Sequence, residues 1–361
     1  MVDIEKGGLL FTPKMIKPSF KELMVIGTIN PAAIRREDGK IVLYVRVIER
    51  VKILEDEKYC YSPRMIGEKK YKIKIDRFEK KDISAISEFD ILFKDNTKRL
   101  TYISHLRKVI LDESGLKILS IDKEPSFYGI SSDSELGVED PRITKIDGQY
   151  VMTYVSLSRK ENISTSIAFS KDLEKWDRKG IIFGEQDKDV VIFPEKIRGK
   201  YVAFDRPESN FQFSLPHIWI AHSDDLLSWG NLKSINLLKK GDEDYGRIGP
   251  GCPPIKTSKG WLLIYHTVRT DKEKVDIYSG SAALFDLKNP RKLLLKSEPL
   301  FIPEQDYELE LYQRKRIVFP TGIVLDKDNK HLLIYSGGGD IVTSVRKISL
   351  KKIMDSLKKL K

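Results

Sequence analysis

A repeated hairpin pattern constrains the fold of this chain more than any other feature of its sequence. Each copy contains a proline, an apolar strand, a tight turn with Gly or Asn, and a second strand rich in Val, Ile, Leu and Tyr. The five copies begin at Pro31, Pro141, Pro194, Pro254 and Pro320. Their turns, DGK, DGQ, RGK, SKG and KDNK, are typical of hairpins because Gly and Asn tolerate positive φ angles. The repeat therefore predicts an all-β chain.

A second pattern, S-x-D-L-x-x-W, follows two of the hairpins and gives the repeat a period. It ends at Trp176 and at Trp229, which are 53 residues apart, and Pro141 and Pro194 are also 53 residues apart. We interpret it as a strand followed by an Asp-capped turn, with the tryptophan packed in the core between sheets. Five hairpins, each followed by further strands, predict a five-bladed β-propeller.

Two segments fall outside this repeat. The first two prolines are 110 residues apart, whereas the later spacings are 53, 60 and 66, so about residues 49–100 are predicted to be an insertion of short, charged strands. Residues 346–361 have apolar side chains at helical spacing and predict a C-terminal amphipathic helix. The predicted propeller domain then spans residues 1–345. We expect the helix to pack on the outside of the propeller or on a second copy of the chain, in a homo-oligomer.

Composition and charge argue against several classes of protein. The 361 residues are 40% hydrophobic and 32% charged, with two cysteines and no apolar run long enough to span a bilayer. We therefore expect a soluble, cytoplasmic protein, and the five glutamines beside this many charges are thermophile-like. The net charge of +11 raises the question of nucleic acid, but both signs are interspersed and no nucleic-acid-binding motif appears. We expect neither a nucleic acid nor a membrane as partner.

The predicted fold indicates where a site would lie. The inner strand of each propeller blade faces a central funnel, so residues at equivalent places in the repeats converge. We expect the pattern prolines to begin those inner strands. The candidate site residues stand beside the prolines or at strand ends; they are Asn30, Arg46, Glu139, Asp140, Lys188, Arg206, Arg247, His266 and Asp340.

The cations of this set, Lys188, Arg206 and Arg247, need a counter-charge if they share one funnel. A bound oxyanion such as phosphate supplies it, because arginine gives forked contacts and lysine a point charge. The alternative is that each cation pairs with a structural carboxylate. Candidate carboxylates are Asp189, Glu195 and Asp205. For the set together we favour the anion site.

Several candidates also have purely structural interpretations. Asp140 could cap the turn before Pro141, and His266 could be a satisfied core histidine. Ordinary packing is favoured over sugar stacking for three aromatic residues, Tyr128, Phe211 and Tyr245.

Five motifs follow one another along the chain. They are GVEDPRIT (137–144), DKDVVIFPEKIRGKY (187–201), the RP of FDRP, RIGPGCPPIKTSKGWLLIYH (247–266) and YSGGGD (335–340). In this order they resemble glycoside hydrolase family 130, which contains the inverting β-mannoside phosphorylases. The resemblance covers nearly the whole chain, roughly residues 30–340, and implies a five-bladed propeller.

The resemblance also implies a role for each candidate residue. Asp140, the aspartate of EDPR, is implied to be the general acid. The implied phosphate-binding residues are Lys188, Arg206, Arg247 and His266. The residues expected to hold the mannosyl unit or to shape the pocket are Asn30, Arg46, Glu139 and Asp340.

The chain departs from the family pattern at a few places. Lys188 stands where some members carry Arg, and Arg247 where many carry Lys, so charge is kept at both. Asp205 precedes Arg206 where many members have His, and Thr267 follows His266 where Gly is common. The run SGGGD replaces a more usual run of small residues.

The number of carboxylates separates phosphorolysis from hydrolysis. An inverting hydrolase needs a second carboxylate that activates water, about 6.5–9.5 Å from the acid, whereas phosphate is already an anionic nucleophile. We therefore predict that Asp140 protonates the glycosidic oxygen, through the sugar's own 3-hydroxyl if the resemblance holds. Phosphate attacks the anomeric carbon from the opposite face and gives α-mannose 1-phosphate. Phosphate is then a co-substrate, and neither a cofactor nor a metal is expected.

Two other functions stay open. One is an inverting β-mannosidase of the same fold, against which the three cations argue, and the other is a non-catalytic propeller that binds sugar or protein. The linkage is also open. The β-1,2 linkage is our first expectation because YISHLR (102–107) and DKDVVIFPEK look like members that act on 1,2-linked mannosides. The β-1,4 linkage to glucose or N-acetylglucosamine is the alternative.

Overall fold

The computed structural model describes residues 1–208, 213–235, 237, 245–309 and 315–359. Within them the chain is almost entirely β-strand, which confirms the all-β prediction. The helices are α1 (Asp306–Leu309), α2 (Leu350–Ser356) and two single 3₁₀ turns, Pro13–Met15 and Lys80–Asp82. In this part of the chain no helix is long and apolar enough to cross a bilayer.

Twenty-seven strands, numbered in chain order, make up the described chain. The first are β1 (Ile4–Phe11), β2 (Leu23–Arg35) and β3 (Ile41–Val51). The next five are short: β4 (Tyr59–Met65), β5 (Ile73–Glu79), β6 (Ile83–Ile86), β7 (Asp90–Phe93) and β8 (Lys98–Leu100). They are followed by β9 (Tyr102–Leu111), β10 (Ile118–Ile121), β11 (Phe127–Tyr128), β12 (Gly137–Ile146), β13 (Gln149–Ser158), β14 (Asn162–Ser170) and β15 (Asp177–Phe183).

The second half of the chain continues in the same way. Its first strands are β16 (Asp187–Ile192), β17 (Tyr201–Pro207), β18 (Trp219–Ser223) and β19 (Trp229–Ser234). Then come β20 (Tyr245–Pro250), β21 (Ile255–Thr257), β22 (Gly260–Thr270), β23 (Asp276–Phe285) and β24 (Leu293–Lys296). The last are β25 (Lys315–Leu325), β26 (His331–Gly338) and β27 (Val342–Ser349).

The antiparallel pairings divide these strands into five successive groups. The groups are β2, β3 and β9–β11; β12–β15; β16–β19; β20–β24; and β25–β27 with β1. Short parallel pairings join the first group to the second, at Gly137 and Ser104, and the fourth to the fifth, between β23 and β25. Because β1 pairs with β27, from Ile4 opposite Ile348 onward, the fifth group contains strands from both ends of the chain.

The first strand of each group carries a β-bulge, and this corrects one prediction. The register shifts lie between residues 29 and 32, 139 and 142, 188 and 191, 245 and 247, and 320 and 322. Pro31 and Pro141 therefore lie inside β2 and β12, at the bulges, and do not begin these strands as predicted. Proline has no N–H to donate, so it fits the unpaired residue of a bulge.

The two S-x-D-L-x-x-W turns have the same geometry, as their common period predicts. In each, the serine hydroxyl accepts the backbone N–H of the leucine at 2.9 Å. The leucine has a positive φ, 61° at Leu173 and 69° at Leu226. Trp176 and Trp229 pack against two successive hydrophobic clusters, and the Trp176 indole donates to the Tyr44 hydroxyl at 2.9 Å. Both tryptophans therefore have the packing role that was predicted.

The two segments outside the repeat differ in extent from the prediction. β3 continues to Val51, so the insertion comprises β4–β8, which form two small sheets of their own. At the C-terminus, Arg346–Ser349 belong to β27 rather than to a helix. The Arg346 guanidinium is buried and donates to the Glu308 carboxylate, which favours the sheet position.

The C-terminal helix is shorter than predicted. It begins after Ser349, whose hydroxyl accepts the N–H of Lys352, and it is described as far as Ser356. Ile353 and Leu357 are buried in the hydrophobic cluster of the last two strand groups, so the helix packs on its own chain. Leu360, which contributed to the predicted helical pattern, lies outside the described residues.

Candidate active site

Two adjacent carboxylates on β12, Glu139 and Asp140, are held by one arginine from β3. Arg46 donates from Nη1 to Asp140 Oδ1 at 3.0 Å and from Nη2 to Glu139 Oε1 at 2.5 Å. Asn30 of β2 donates from Nδ2 to the same Asp140 oxygen at 3.0 Å. The structure therefore brings the predicted acid together with three of the four predicted sugar-binding residues. We call Asn30, Arg46, Glu139 and Asp140 the acid cluster.

A serine completes the acid cluster. Ser104 of β9 accepts from Arg46 Nε at 3.3 Å and donates to Glu139 Oε1 at 3.3 Å. Burial raises the pKa of Glu139, and the Arg46 guanidinium opposes this shift. Burial acts to lower the pKa of Arg46, but the two carboxylates outweigh it and hold that pKa above its usual range. Among the described residues, both hydrogen bonds to Asp140 reach Oδ1, which leaves Oδ2 for a substrate.

The bulges explain why these side chains lie together. Asn30, Asp140 and Asp189 occupy the bulges of β2, β12 and β16, with φ angles of 47°, 46° and 57°. Asn and Asp adopt this left-handed conformation more readily than other residues with a side chain. A bulge interrupts the alternation of a strand and redirects the side chain. The same backbone position in three strand groups thus supplies one amide and two carboxylates.

Asp340 lies next to the acid cluster at the end of a glycine run. Burial raises the pKa of Asp340, and the charges of Lys315, Arg46 and Asp140 also act on its carboxyl, as expected for a group beside the acid cluster. A Cβ at Gly337 would overlap Asn30 Oδ1, and one at Gly339, where φ is 57°, would overlap the Tyr307 carbonyl. The run SGGGD therefore lets Asn30 and α1 approach the backbone before Asp340.

A second group of charges surrounds Asp189. Arg206 of β17 donates from Nε to Asp189 Oδ2 at 2.8 Å and from Nη1 to Glu208 Oε2 at 2.8 Å. Arg142 reaches the other Asp189 oxygen from Nη2 at 3.4 Å, and it also donates from Nη1 to the Asp140 carbonyl at 2.8 Å. Arg247 Nη1 lies 3.7 Å from Glu208 Oε1. We call the following seven residues the cation cluster: Arg142, Lys188, Asp189, Arg206, Glu208, Arg247 and His266.

Lys188 of the cation cluster also acts on the acid cluster. It stands opposite Arg206 in the β16–β17 ladder. Its ammonium acts to lower the pKa of both Glu139 in the acid cluster and Glu208 in the cation cluster. At Glu139 burial is stronger and the pKa is raised, whereas at Glu208 the nearby cations outweigh burial and the pKa is lowered. The structure therefore brings the three predicted cations, Lys188, Arg206 and Arg247, into one region beside Asp140.

His266 is buried beneath the cation cluster. Its Nε2 lies 3.8 Å from Asp189 Oδ2, and its ring packs against Phe319 with 4.5 Å between ring centroids. Burial lowers the pKa of His266 to about 3, an effect that Asp189 opposes and the nearby arginines reinforce. The imidazole is therefore neutral near pH 7 and offers a hydrogen bond rather than a charge.

The alternative to an anion site was that structural carboxylates pair with the predicted cations. Of the three candidate carboxylates, only Asp189 does so among the described residues. Asp189 pairs with Arg206, and the arginines with His266 lower its pKa well below the usual range although burial acts to raise it. Glu195 instead pairs with Lys256 at 2.6 Å. Asp205 hydrogen-bonds to the side chain of Asp187, and burial is the largest cause that raises their pKa values to about 9 and about 7. This pair therefore holds a proton at neutral pH.

Among the described residues, carboxylates do not neutralise the cation cluster. The positive groups are Arg142, Lys188, Arg206 and Arg247. The negative groups are Asp189 and Glu208. Four minus two leaves a formal excess of two positive charges, so an anion would be stabilised here.

Sequence reasoning missed three residues of the site. Arg142 is the arginine of EDPR, Ser104 lies in YISHLR, and Glu208 follows the RP motif by one residue. All three were therefore inside or beside quoted motifs, but their contacts depend on distant strands. Of the aromatic candidates, Tyr128 packs on Tyr71 with 5.2 Å between centroids. Phe211 and the Tyr245 side chain lie outside the described residues. Among the described residues, no group of three or more His, Cys, Asp and Glu side chains could hold a metal ion.

Comparison with known proteins identifies the family. Residues 109–359 match the profile of glycoside hydrolase family 130, described as beta-1,4-mannooligosaccharide phosphorylase. The chain belongs to glycoside hydrolase family 130. A beta-1,2-mannobiose phosphorylase from Listeria innocua is 30% identical over 354 residues, 96% of both chains. A 1,2-beta-oligomannan phosphorylase from Thermoanaerobacter sp. is 37% identical over 255 residues, 70% of this chain and 81% of the relative.

A solved structure of the Listeria innocua relative matches nearly the whole chain. The Listeria innocua beta-1,2-mannobiose phosphorylase in complex with beta-1,2-mannobiose superimposes with a TM-score of 0.83 at 30% identity, covering 96% of each chain. The family predicted from the five ordered motifs is therefore confirmed.

Proposed function

We propose that this family 130 chain is an inverting glycoside phosphorylase that cleaves β-mannosides with phosphate and releases α-mannose 1-phosphate. The observation that carries this function is the contact between the acid cluster and the positively charged cation cluster. One side of the site offers a carboxyl to a leaving oxygen, and the other offers charge to an anion. The named relatives, all phosphorylases of mannosides, support the same function.

The acid cluster performs the proton transfer in this proposal. Asp140 is the general acid, and the proton reaches the glycosidic oxygen directly or through the sugar's 3-hydroxyl. Asn30 and Arg46 hold Oδ1 of Asp140, so the carboxyl is oriented with Oδ2 toward the substrate. Glu139 and Asp340, with Asn30 and Arg46, bind the mannosyl hydroxyls. Orientation of this kind commonly contributes as much as the proton transfer itself.

The cation cluster binds phosphate. Lys188, Arg206 and Arg247 supply the charge, while neutral His266 supplies a hydrogen bond. Asp189 and Glu208 hold Arg206 from two sides, which fixes its guanidinium before phosphate arrives. Preorganised charge of this kind stabilises the transition state by several kcal/mol in enzymes generally. Phosphate is a co-substrate, and the mechanism uses no cofactor or metal.

We also propose the linkage and the arrangement of the sheets. The relatives named for β-1,2-mannosides match at 30% to 37% identity, against 29% for one named for β-1,4-mannooligosaccharides, which favours the β-1,2 linkage. The five antiparallel groups are proposed to be five propeller blades. The pairing of β1 with β27 supports this arrangement, because a closed propeller needs its two ends joined.

One observation favours hydrolysis as a second candidate. Glu208 is a carboxylate within the cation cluster and could activate a water molecule in place of phosphate. Burial acts to raise its pKa, but Arg206, Arg247 and Lys188 outweigh it and lower the pKa, so the carboxylate is a weak base. We therefore rank hydrolysis second.

The test is to incubate the purified protein with β-1,2-mannobiose in the presence and absence of phosphate. We expect α-mannose 1-phosphate and mannose with phosphate, and almost no turnover without it. Equal turnover in both buffers would establish a hydrolase instead. The anomeric configuration of the first product, read by NMR, distinguishes inversion from retention. A panel of β-1,4-linked mannosides tests the linkage.

A further inference from the structure

A cavity of about 640 Å³ opens directly from the proposed site. Glu139 of the acid cluster and Lys188 of the cation cluster line its inner end. The outer walls come from the insertion, at residues 96–100, and from the β13–β14 hairpin. Its volume is within the range of roughly 300–1,000 Å³ that small-molecule sites occupy. The insertion therefore forms part of the approach to the reacting bond.

The floor of the cavity is apolar. Leu136 and Leu157 belong to a small hydrophobic cluster, and Leu100 of the insertion packs against it. Leu100 also lies at the end of β8, so the same contact anchors the insertion to the β12–β15 group. The wall formed by the insertion is consequently held by side-chain packing.

The rim of the cavity carries amide groups. Asn96, Asn162 and Gln186 line it from three different turns. Each has a left-handed backbone, with φ angles of 66°, 55° and 63°. An apolar floor with amides around it suits a sugar, whose ring faces are apolar and whose edges carry hydroxyls.

Two arginines, Arg99 from the insertion and Arg159 from the β13–β14 hairpin, line the cavity. Arg99 is half-buried, and burial together with repulsion from Arg159 lowers its pKa. In the part of the chain that the structure describes, its guanidinium donates to the Lys98 carbonyl at 3.0 Å and has no carboxylate within salt-bridge distance. Arg159 donates from Nε to Glu135 Oε1 at 2.8 Å, and its backbone N–H donates to the same oxygen at 2.9 Å.

The charge of the cavity favours a neutral ligand over an anion. Lys98 is paired with Asp90 at 2.8 Å, and Arg159 with Glu135 at 2.8 Å. Two of the cations on the outer walls are thus neutralised by carboxylates, in contrast to the cation cluster. Guanidinium groups donate to pairs of hydroxyl oxygens as well as to anions, because the donors lie in a fixed fork.

We propose that this cavity binds the sugar units of the leaving group beyond the cleaved bond, and that Arg99 and Arg159 select them. The inference rests on the proposed function and extends it to substrates longer than a disaccharide. The insertion then determines which oligosaccharides are cleaved and, in the reverse direction, which acceptors are extended.

The test uses Arg99→Ala and Arg159→Lys, with Arg77→Ala as the matched control. Arg77 is an exposed arginine on β5 of the same insertion, and it does not line this cavity. The assay measures KM for β-1,2-mannobiose, for the β-1,2-linked tetrasaccharide and for phosphate. We expect each cavity variant to raise KM for the tetrasaccharide about tenfold, with less effect on the disaccharide and none on phosphate. The control should match the wild type.

Three results would overturn the inference. The cavity variants could match the control with both substrates, or KM for phosphate could rise instead, which would make the cavity a route for the anion. A uniform loss of activity with a lowered melting temperature in Arg99→Ala would indicate a structural role. Arg99→Lys keeps the charge but not the forked donors, so a selective rise in KM for the tetrasaccharide in this variant would indicate substrate selection, and unchanged KM values would indicate the structural role. If the wild type cleaves no β-mannoside at all, the proposed function fails as well, whereas normal wild-type turnover with unaltered variants refutes the cavity alone.

Discussion

The acid cluster and the cation cluster are built on the same backbone feature and differ in charge. Asp140 and Asp189 occupy equivalent bulges, with φ angles of 46° and 57°. Asp140 accepts from Arg46 and Asn30 through a single oxygen, whereas Asp189 is bound by arginines through both. One aspartate therefore keeps an oxygen for substrate, and the other serves as a counter-ion. The comparison teaches that the partners from neighbouring strands, and not the repeated position, decide each role.

The largest effect is expected at Asp140. Asp140→Asn keeps the shape of the side chain and an oxygen that can accept from Arg46, but it removes the proton that Asp140 is proposed to deliver. We expect kcat for phosphorolysis to fall about 10²- to 10⁴-fold, with the melting temperature nearly unchanged. Steady-state kinetics and thermal unfolding check this. Asp38→Asn, at an exposed turn, is the control, and full activity of Asp140→Asn would remove the acid cluster from the chemistry.

The next effect tests the counter-ion role of Asp189 through its partner. Arg206→Ala removes the guanidinium that the carboxylates of Asp189 and Glu208 share. The Asp189 carboxylate is almost completely buried, so the loss of this partner is costly. We expect the free energy of unfolding to fall by about 3–5 kcal/mol, measured by urea denaturation. Adding Asp189→Asn to this variant should restore part of the loss. No loss in Arg206→Ala would show that the cation cluster is not held by its carboxylates.

Arg247 provides a milder test of the same cluster. Its side chain is 35% exposed and lies 3.7 Å from Glu208, so its removal should spare the fold. We expect Arg247→Ala to lose one charge-assisted contact, about 1.5–3 kcal/mol, and to raise KM for phosphate roughly ten- to hundredfold. The KM for the mannoside should change little. A rise confined to the mannoside would assign Arg247 to the sugar side.

Gly337 tests how closely the acid cluster is packed. A Cβ at this position would overlap Asn30 Oδ1, so Gly337→Ala must displace Asn30 from Asp140. We expect a loss of about 1–3 kcal/mol in stability together with reduced kcat. Gly184→Ala is the matched control, because nothing lies within 4 Å of its added Cβ. Equal behaviour of the two variants would contradict the close contact.

The last prediction concerns the pH dependence of the free energy of unfolding, which should come from two carboxyl groups beside the cation cluster. Asp187 and Asp205 have pKa values raised to about 7 and about 9, and Asp205 directly precedes Arg206. A carboxyl with a raised pKa contributes stability below its unfolded pKa of about 4, and this is lost as pH rises toward the folded value. We therefore expect the free energy of unfolding to decline between about pH 4 and pH 9. Asp205→Asn should flatten that slope, and parallel slopes would refute the shared proton.

The sequence allowed the repeat, the turns and most of the site to be predicted because these depend on local chemistry. Positive φ at Asp147 and Gly148, or at Leu173 and Leu226, follows from residues a few positions apart. The family motifs indicated Asp140 and the cations directly. The five-bladed arrangement, the cofactor-free reaction and the residue roles remain predictions.

What could not be predicted depends on contacts between distant strands. The bulge at Pro31 could not be predicted, because a bulge is defined by the register with the partner strand, here β3. The position of Glu208 between Arg206 and Arg247 could not be predicted, because Arg247 belongs to another strand group. The helix was predicted to begin at Arg346 since its spacing fits, but a buried ion pair with Glu308 keeps this stretch in the sheet.

The pairing of β1 with β27 has a consequence for how the molecule assembles. Ile4 lies opposite Ile348, so this ladder closes a loop of more than three hundred residues. Closing such a loop has a high entropic cost before any contact rewards it, and long-range pairings of this kind slow folding. During synthesis, β1 leaves the ribosome long before β27 and must wait, with an open edge, for the strand that completes it. Until then its unpaired edge can pair with another chain.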